Sequence, residues 1–446
     1  MSIVKKHLIY DMPPANENAE ISIFWFRRDL RLNDNTALHH ALASGTSVLP
    51  VFIFDENILG ELERDDPRVN FIHRTLESIH GQLVKMVSSL LCLKGNPMTI
   101  WKGLIGKYEI RQVYFNRDYE PYALDRDEKI EKLLTANRIG LKTYKDHVIF
   151  EPNEILKKDG SPYTVYTPYK NKWLENFNAK TLVSNAVKDN FQNFHTAKYR
   201  FPTLSEIGFH SSPKKIKEID FAQLDEYDQV RDFPKRDTTH LGPHLRFGTV
   251  SIRKIISKLS PSHATFLSEL IWREFFVQIL FHFPFVVHRS FKVKYDNIEW
   301  RNNESEFQLW CEGKTGYPMV DAGMRQLNAT GYMHNRVRMV TASFLCKHLL
   351  IDWRWGEAYF AKHLMDYELA SNNGNWQWVA GTGCDAAPYF RVFNPSEQLK
   401  KFDKELEYIK KWIPEYGKSS YSEPMVDHKM ARNRALETYK HGLERP

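Results

Sequence analysis

Cysteine is scarce in this 446-residue chain. Cys92, Cys311, Cys346 and Cys384 form no C-x-x-C pair and no metal-ligand spacing. A disulfide-stapled secreted domain and a zinc module are therefore not expected, and free thiols in a reducing cytoplasm are. No apolar run approaches the roughly 18 residues of a membrane span. Residues 1–20, with Lys5, Lys6, Pro13 and Pro14, lack the apolar stretch of a secretory signal and read as a mobile extension. The histidines show no i, i+4 spacing with an acid between them, so no metal is expected. There is no internal repeat. The first strand-like run is followed by Arg27-Arg-Asp-Leu-Arg31 and not by glycines, which argues against a standard dinucleotide pocket. Gly381-Thr-Gly-Cys-Asp-Ala386 fits G-x-G-x-x-A, but it follows Trp-Gln-Trp-Val-Ala with no βαβ unit around it, and is discarded.

What is present is length, aromatics and a mild excess of base. A chain of 52.6 kDa implies two or three domains. The formal charge of +7 permits a polyanionic partner without requiring one. Ile21–Phe26, Val48–Phe54 and Val113–Phe115 read as short buried strands, with helical periods between them over Arg68–Leu93 and Asp125–Asn137, and then the segment Lys142–Phe150. The alternation predicts a parallel, Rossmann-like α/β domain over 21–150. Residues 151–208, polar and carrying Pro152, Pro162, Pro168 and Pro202, read as a connector. From 209 to 446 helical periods dominate: Thr249–Leu259, Ala264–His282, Met319–Thr330 and Asn335–Leu350. Nine of the eleven tryptophans lie beyond residue 170, so the aromatic chemistry sits in the second half of the chain.

The densest stretch is Asp366–Pro395. Asn372-Asn-Gly374 has turn chemistry, since these residues tolerate left-handed dihedrals. Trp376 and Trp378 follow, about 200° apart if helical, so that one indole can line a pocket while the other enters a core. Glu269, Trp272 and Arg273, at i, i+3 and i+4, share one helix face. An acid, an indole and a guanidinium there can hydrogen-bond and stack a nucleobase; a solvated ion pair beside a core tryptophan has the same spacing. Asn335, Arg336 and Met339 form a second face. Asp237-Thr-Thr-His-Leu-Gly242 places hydroxyls and backbone N–H groups ahead of a helix beginning near Ser251, a setting that suits an anion or a simple cap.

These stretches resemble the photolyase/cryptochrome family. The similarity lies in Asn372–Trp378 with Thr382–Pro395, in Trp25–Asp34, in Glu269–Phe275 and in Lys314–Asn328. A segment over Tyr163–Trp173 is also similar, and the resemblance covers about residues 20 to 430, in the pattern of class I cyclobutane pyrimidine dimer enzymes. It implies an α/β domain joined by a long connector to a helical FAD-binding domain. It also implies a carbon–carbon lyase that repairs dimers in damaged DNA by electron transfer from photoexcited reduced FAD. The enzyme is expected to be a monomer, cytoplasmic, off the membrane and with access to DNA. A blue-light photoreceptor of cryptochrome type is the alternative, and a DNA-binding protein that kept the fold without FAD is a third reading.

By the same resemblance, Tyr227, Arg231, Thr238, Thr239, His240, Leu241, Gly242, Arg273, Arg338, Asp366, Glu368 and Asn372 hold the flavin. Arg338 and Asp366 form an ion pair beside its ring, and Asn372 faces N5. Glu269, Trp272, Asn335, Arg336, Met339, Trp378 and Arg391 receive the lesion and its DNA. Trp376, Trp353 and Trp300 carry electrons to the surface. Gly242 stands where the family usually has Ser, and Glu368 where it often has Asp. Asn335 stands where enzymes of 6–4 photoproducts typically carry a proton-donating His. A second, antenna chromophore (a folate, a deazaflavin or a flavin) is an option in the family. Glu120 matches a folate contact, whereas Val286-Val287 replace a Cys-Lys pair that some folate binders use.

Overall fold

Ile21–Phe26 is apolar at every position except Ser22, as befits a parallel strand covered on both faces. In the computed structural model, which describes residues 20–178, 182 and 188–445, this strand (β1) is the middle of a sheet. With β2 (Ser47–Asp55), β3 (Leu91–Gly95), β4 (Ile110–Asn116) and β5 (Gly140–Tyr144) it forms five parallel strands in the order β3-β2-β1-β4-β5. Ile21 pairs with Ser47 and Phe26 with Phe52; on the other side Ile23 pairs with Val113. Helices α1 (Thr36–Leu42), α2 (Pro67–Val84), α3 (Pro97–Lys107) and α4 (Pro121–Ala136) connect them. The last three begin on proline, whose missing N–H costs nothing in the first turn.

The described residues of Met1–Glu151, together with Asn178–Ile216 and His244–Lys258, make up this first unit. The extension expected over residues 1–20 lies outside the described residues except for Glu20. Strand order reverses between β1 and β4, the position where doubly wound sheets usually take ligands. Here the protein's own amides fill it: Asn116 Nδ2 donates to Asp29 Oδ2 (2.6 Å) and to Asn35 Oδ1 (2.8 Å). Nearby, Asp146 is fully buried between Arg31 (2.6 Å) and Arg253 (2.8 Å), and Arg253 also reaches Asp34. Together these arginines hold the Asp146 carboxyl down at about 2, although burial pushes the other way.

One expectation fails in this unit. The helical period over Arg68–Leu93 stops at Val84, Val87 adopts a positive φ of 57°, and Leu91–Gly95 is an edge strand. A short apolar run continues a helical period as readily as it makes a strand. Of Lys142–Phe150 only the first residues are extended, in β5.

The second unit, Pro152–Phe177, Lys217–Pro243 and Leu259–Pro446, is helical. Its main elements are α5 (Tyr166–Asn176), α6 (Ala264–His282), α7 (Pro318–Thr330), α8 (Asn335–Ser343), α9 (Trp353–His363), α10 (Leu369–Ala380) and α11 (His428–Glu444). The segment 151–208 is thus divided between the two units. Among the described residues no helix is long and apolar enough to cross a membrane.

Helix α10 packs against α6, α8 and α9 and corrects the turn expected at Asn372-Asn-Gly374, because all three residues lie inside it. The glycine serves close approach: a Cβ on Gly374 would lie 2.1 Å from the ring of Phe276 on α6. Helix α8 was expected to run to Leu350; it ends at Ser343 and passes into a π-helical turn, Phe344–His348.

Candidate functional site

Every residue expected to hold a flavin or a lesion falls in the helical unit. Helix α6 is apolar nearly all round, with Leu270, Ile271 and Phe275–Leu280 buried, so its polar residues stand out. Glu269 accepts from Arg231 at 2.6 Å, and both remain part-exposed. Arg273, one turn on, donates to Glu368 at 2.9 Å; this pair is buried. Ser371 Oγ donates to the other oxygen of Glu368 (3.2 Å). Arg338 and Asp366 do form the expected ion pair, with contacts of 2.9 and 3.1 Å, and Arg338 Nε also donates to the Met333 carbonyl.

Three residues expected to act singly on ligands thus already have carboxylate partners. Arg336 is the third, donating to Asp232 at 2.7 Å with its guanidinium 4.5 Å from the centre of the Phe402 ring. Such pairs neutralise each other's charge and keep the guanidinium planes oriented.

The loop Thr238–His240 leads into a short helix at Leu241 that the sequence did not signal, and the helix expected near Ser251 follows at Ile252 with Ser251 as its cap. His240 adopts a positive φ of 50° at this entry. Thr238 and Gly242 are exposed, and Thr239 Oγ1 accepts from the Leu241 N–H (3.4 Å). Gly242 has a local reason: a Cβ there would come within 2.8 Å of Asp366 Cβ. A side chain at this position would require Asp366 to shift. Tyr227 packs edge-on against Phe266 at 5.1 Å, and the Arg231 guanidinium lies 5.5 Å from the centre of its ring.

On α10, Asn372 Nδ2 donates to the Glu357 carbonyl (3.1 Å), leaving its Oδ1 as acceptor. Asn373 and Gln377 both donate to the Val286 carbonyl at 3.0 Å, pinning that loop to the helix. The exposed hydroxyl of Thr238, the oriented guanidinium of Arg338 and the Asn372 acceptor are a donor and acceptor set that fits a flavin dinucleotide.

Asn335 is exposed at the start of α8, with Met339 half-buried one turn on. Between them and the core stands a residue that sequence reasoning passed over. His334 caps α8, its Nδ1 accepting from the Arg336 N–H (3.2 Å), and its buried Nε2 has no hydrogen-bond partner. Burial, reinforced by Arg338 and Arg336 and opposed by Asp232, lowers it to about 4, so the ring is neutral. Glu357 was also missed. Burial raises its carboxyl to about 7 against the opposing Asn373 amide and Arg354. Neither has a spacing signal; both are set by packing.

Trp272 stays part-exposed, but one face is already covered, since Tyr166 of α5 stacks on it at 3.6 Å with the planes 8° apart. Trp376 is buried against Phe360 (4.9 Å) and Trp310 (6.3 Å). Its ring abuts Gly356 of α9, where a Cβ would lie 2.1 Å from Cη2. That glycine is three residues beyond the fully buried Trp353. Trp300 meets Tyr439 edge-on at 5.8 Å. Trp378 is half-buried on the same core, and Arg391 is exposed with its guanidinium near Phe393. In the first unit, the Glu120 carboxylate lies between Arg28 and Arg246, each at 3.2 Å.

Comparison with known proteins places these features in context. Residues 22–187 match the DNA photolyase family, and residues 266–420 match the FAD binding domain of DNA photolyase. Deoxyribodipyrimidine photo-lyase of Escherichia coli is 35% identical across 94% of this chain and 98% of its own; that of Agrobacterium fabrum is 36% identical, covering 94% and 97%. Among solved structures, a bacterial class III photolyase from Agrobacterium tumefaciens is similar, with TM-score 0.84, 32% identity, and coverage of 97% of this chain and 99% of its own. An archaeal photolyase from Sulfolobus tokodaii, solved with two FAD molecules, has TM-score 0.79 and 35% identity, covering 94% and 99%.

Proposed function

This chain belongs to the DNA photolyase family, with FAD as its cofactor, and we propose that it repairs cyclobutane pyrimidine dimers in damaged DNA under blue light. When bound and reduced, the flavin supplies a photoexcited electron, which is what opening a cyclobutane ring requires. The chain's own residues bind, orient and exclude water. A dimer has to leave the helix to reach such a pocket. Extruding a nucleotide from the stack costs on the order of a few kcal/mol, and least for a damaged, already distorted base. Glu269 and Asn335 hydrogen-bond the flipped bases, Trp272 and Trp378 pack against them, and Arg336 and Arg391 contact phosphate. Met339 closes the pocket beside Asn335. Tyr227, Arg231, Thr238–Gly242, Arg273, Arg338, Asp366, Glu368 and Asn372 hold FAD, while Trp376, Trp353 and Trp300 refill it with electrons from outside. Glu120, placed between two arginines, is offered as the contact of a second chromophore.

The observation that carries the choice of lesion is the proton inventory at the start of α8. Rearrangement of a 6–4 product needs an acid, and position 335 is an amide. The adjacent imidazole, His334, is neutral, buried and committed to capping its helix. Reduced, illuminated enzyme should therefore restore thymines from cyclobutane dimers and leave 6–4 products intact, followed by chromatography of one irradiated oligonucleotide pool. Turnover of 6–4 products would overturn this reading. Intact dimers in the presence of reduced FAD would instead point to light signalling.

A further inference from the structure

Trp272 does not keep its plane by virtue of its own helix. An indole that remains part-exposed on a helix ordinarily has more than one rotamer available. Here Tyr166, the first residue of α5, lies flat on it, with centroids 3.6 Å apart and planes 8° apart, and covers one face. Tyr166 is itself 7% exposed and is fixed from two further directions. Its hydroxyl donates to the Ser268 carbonyl at 2.7 Å, four residues before Trp272 on α6. Its backbone N–H donates to Asp385 Oδ2 at 3.0 Å, in the same segment that presents Arg391. Phe275 and Phe276 flank the indole at 5.5 and 5.4 Å, tilted by 84° and 29°. They are ordinary core neighbours, whereas the Tyr166 stack is nearly parallel.

We infer that Tyr166 is a positioning residue: its ring presets the plane in which Trp272 meets the damaged bases, and Asp385 ties that plane to the segment carrying Arg391. The inference rests on the reading of Trp272 as part of the lesion pocket. Its physical benefit is preorganisation, because an indole already immobilised loses no rotamer freedom when the dimer arrives. The ring is the effective part of Tyr166 and the hydroxyl an accessory, so the two are separable by substitution.

The experiment compares FAD-loaded Tyr166→Phe, Tyr166→His and Tyr166→Leu, in the dark, on a dimer-bearing duplex and on the undamaged duplex of the same sequence. Phenylalanine keeps the stack and should bind the dimer within about twofold of the parent. Leucine should lose roughly tenfold, part of the value of one base–aromatic stack, with undamaged duplex unchanged. Histidine, a smaller ring, should fall between them and keeps the order readable if the leucine variant loses its flavin. Equal weakening on both duplexes would reduce Tyr166 to a packing residue and overturn the inference. So would dimer affinity indifferent to residue 166 while Trp272→Ala weakens it. If Trp272→Ala itself leaves dimer binding intact, the pocket reading falls and this inference with it.

Discussion

The two units bury charge in opposite ways. In the α/β unit, Asp146 is wholly inaccessible and Arg31 and Arg253 nearly so, and each charge faces an opposite one. In the helical unit most of the ion pairs on the candidate site residues remain part-exposed. Side-chain exposures are 25% and 34% for Arg231 and Glu269, and 18% and 40% for Arg336 and Asp232. A closed network holds a fold together; a half-open pair can exchange its partner for a phosphate or a base. The helical unit also buries one lysine without a carboxylate in contact. Lys347 Nζ donates to the Ala380 carbonyl (2.8 Å) and lies 3.6 Å from the centre of the Tyr439 ring.

The largest effect expected from this contrast is in the closed network. Asp146→Asn should cost about 3–5 kcal/mol in urea unfolding, the scale for breaking a buried pair and stranding its partner, and a loss below about 1 kcal/mol would show the network to be looser than its geometry. The sign with pH follows. Asp146 titrates at about 2 when folded, so its contribution is full above the ordinary carboxylate range and is lost as pH falls through about 2. The variant should lack that acid limb. Next, Gly374→Ala sets a methyl against the Phe276 ring and should destabilise the helical unit by about 1–3 kcal/mol, read as a lower melting temperature; a neutral result would mean the ring can move.

Opposite in direction is the unpaired lysine. Burial lowers Lys347 to about 7, with only Cys346 opposing. Above that pH the unfolded chain binds the extra proton, so stability should rise from about pH 7 towards 10. Lys347→Met should flatten the rise, measured by urea midpoints across that range. Smallest is Arg391→Ala, which should reduce the slope of log K against log salt for DNA by about one unit at most; an unchanged slope would remove Arg391 from the phosphate contacts.

What was legible in the sequence divides along similar lines. Ile21–Phe26 and Val48–Phe54 were readable because strands buried on both faces leave unbroken apolar runs, and Ala264–His282 because its period is long. The Asn-Asn-Gly stretch misled because local propensity yields to tertiary contact: the glycine serves Phe276 and not a turn. The Arg338–Asp366 pair followed from family resemblance. The pairs Arg231–Glu269, Arg273–Glu368 and Arg336–Asp232 join residues 38, 95 and 104 positions apart, and no spacing rule connects them. Tyr166 stayed hidden for the same reason, since an aromatic among aromatics in a connector has no periodicity to betray what it touches.

The contact between Gly374 and Phe276 has a mechanical meaning as well. Two helices separated by no more than a missing side chain have no slack, and these two carry Trp272 and Arg273 on one side and Asn372 and Trp376 on the other. On the proposed reading electrons pass between groups held along these helices, and since transfer falls steeply with distance, the gap between the helices acts as a gauge block. A single methyl at position 374, meeting Phe276 first, would then serve as a feeler blade, turning a fixed spacing into a quantity that can be varied.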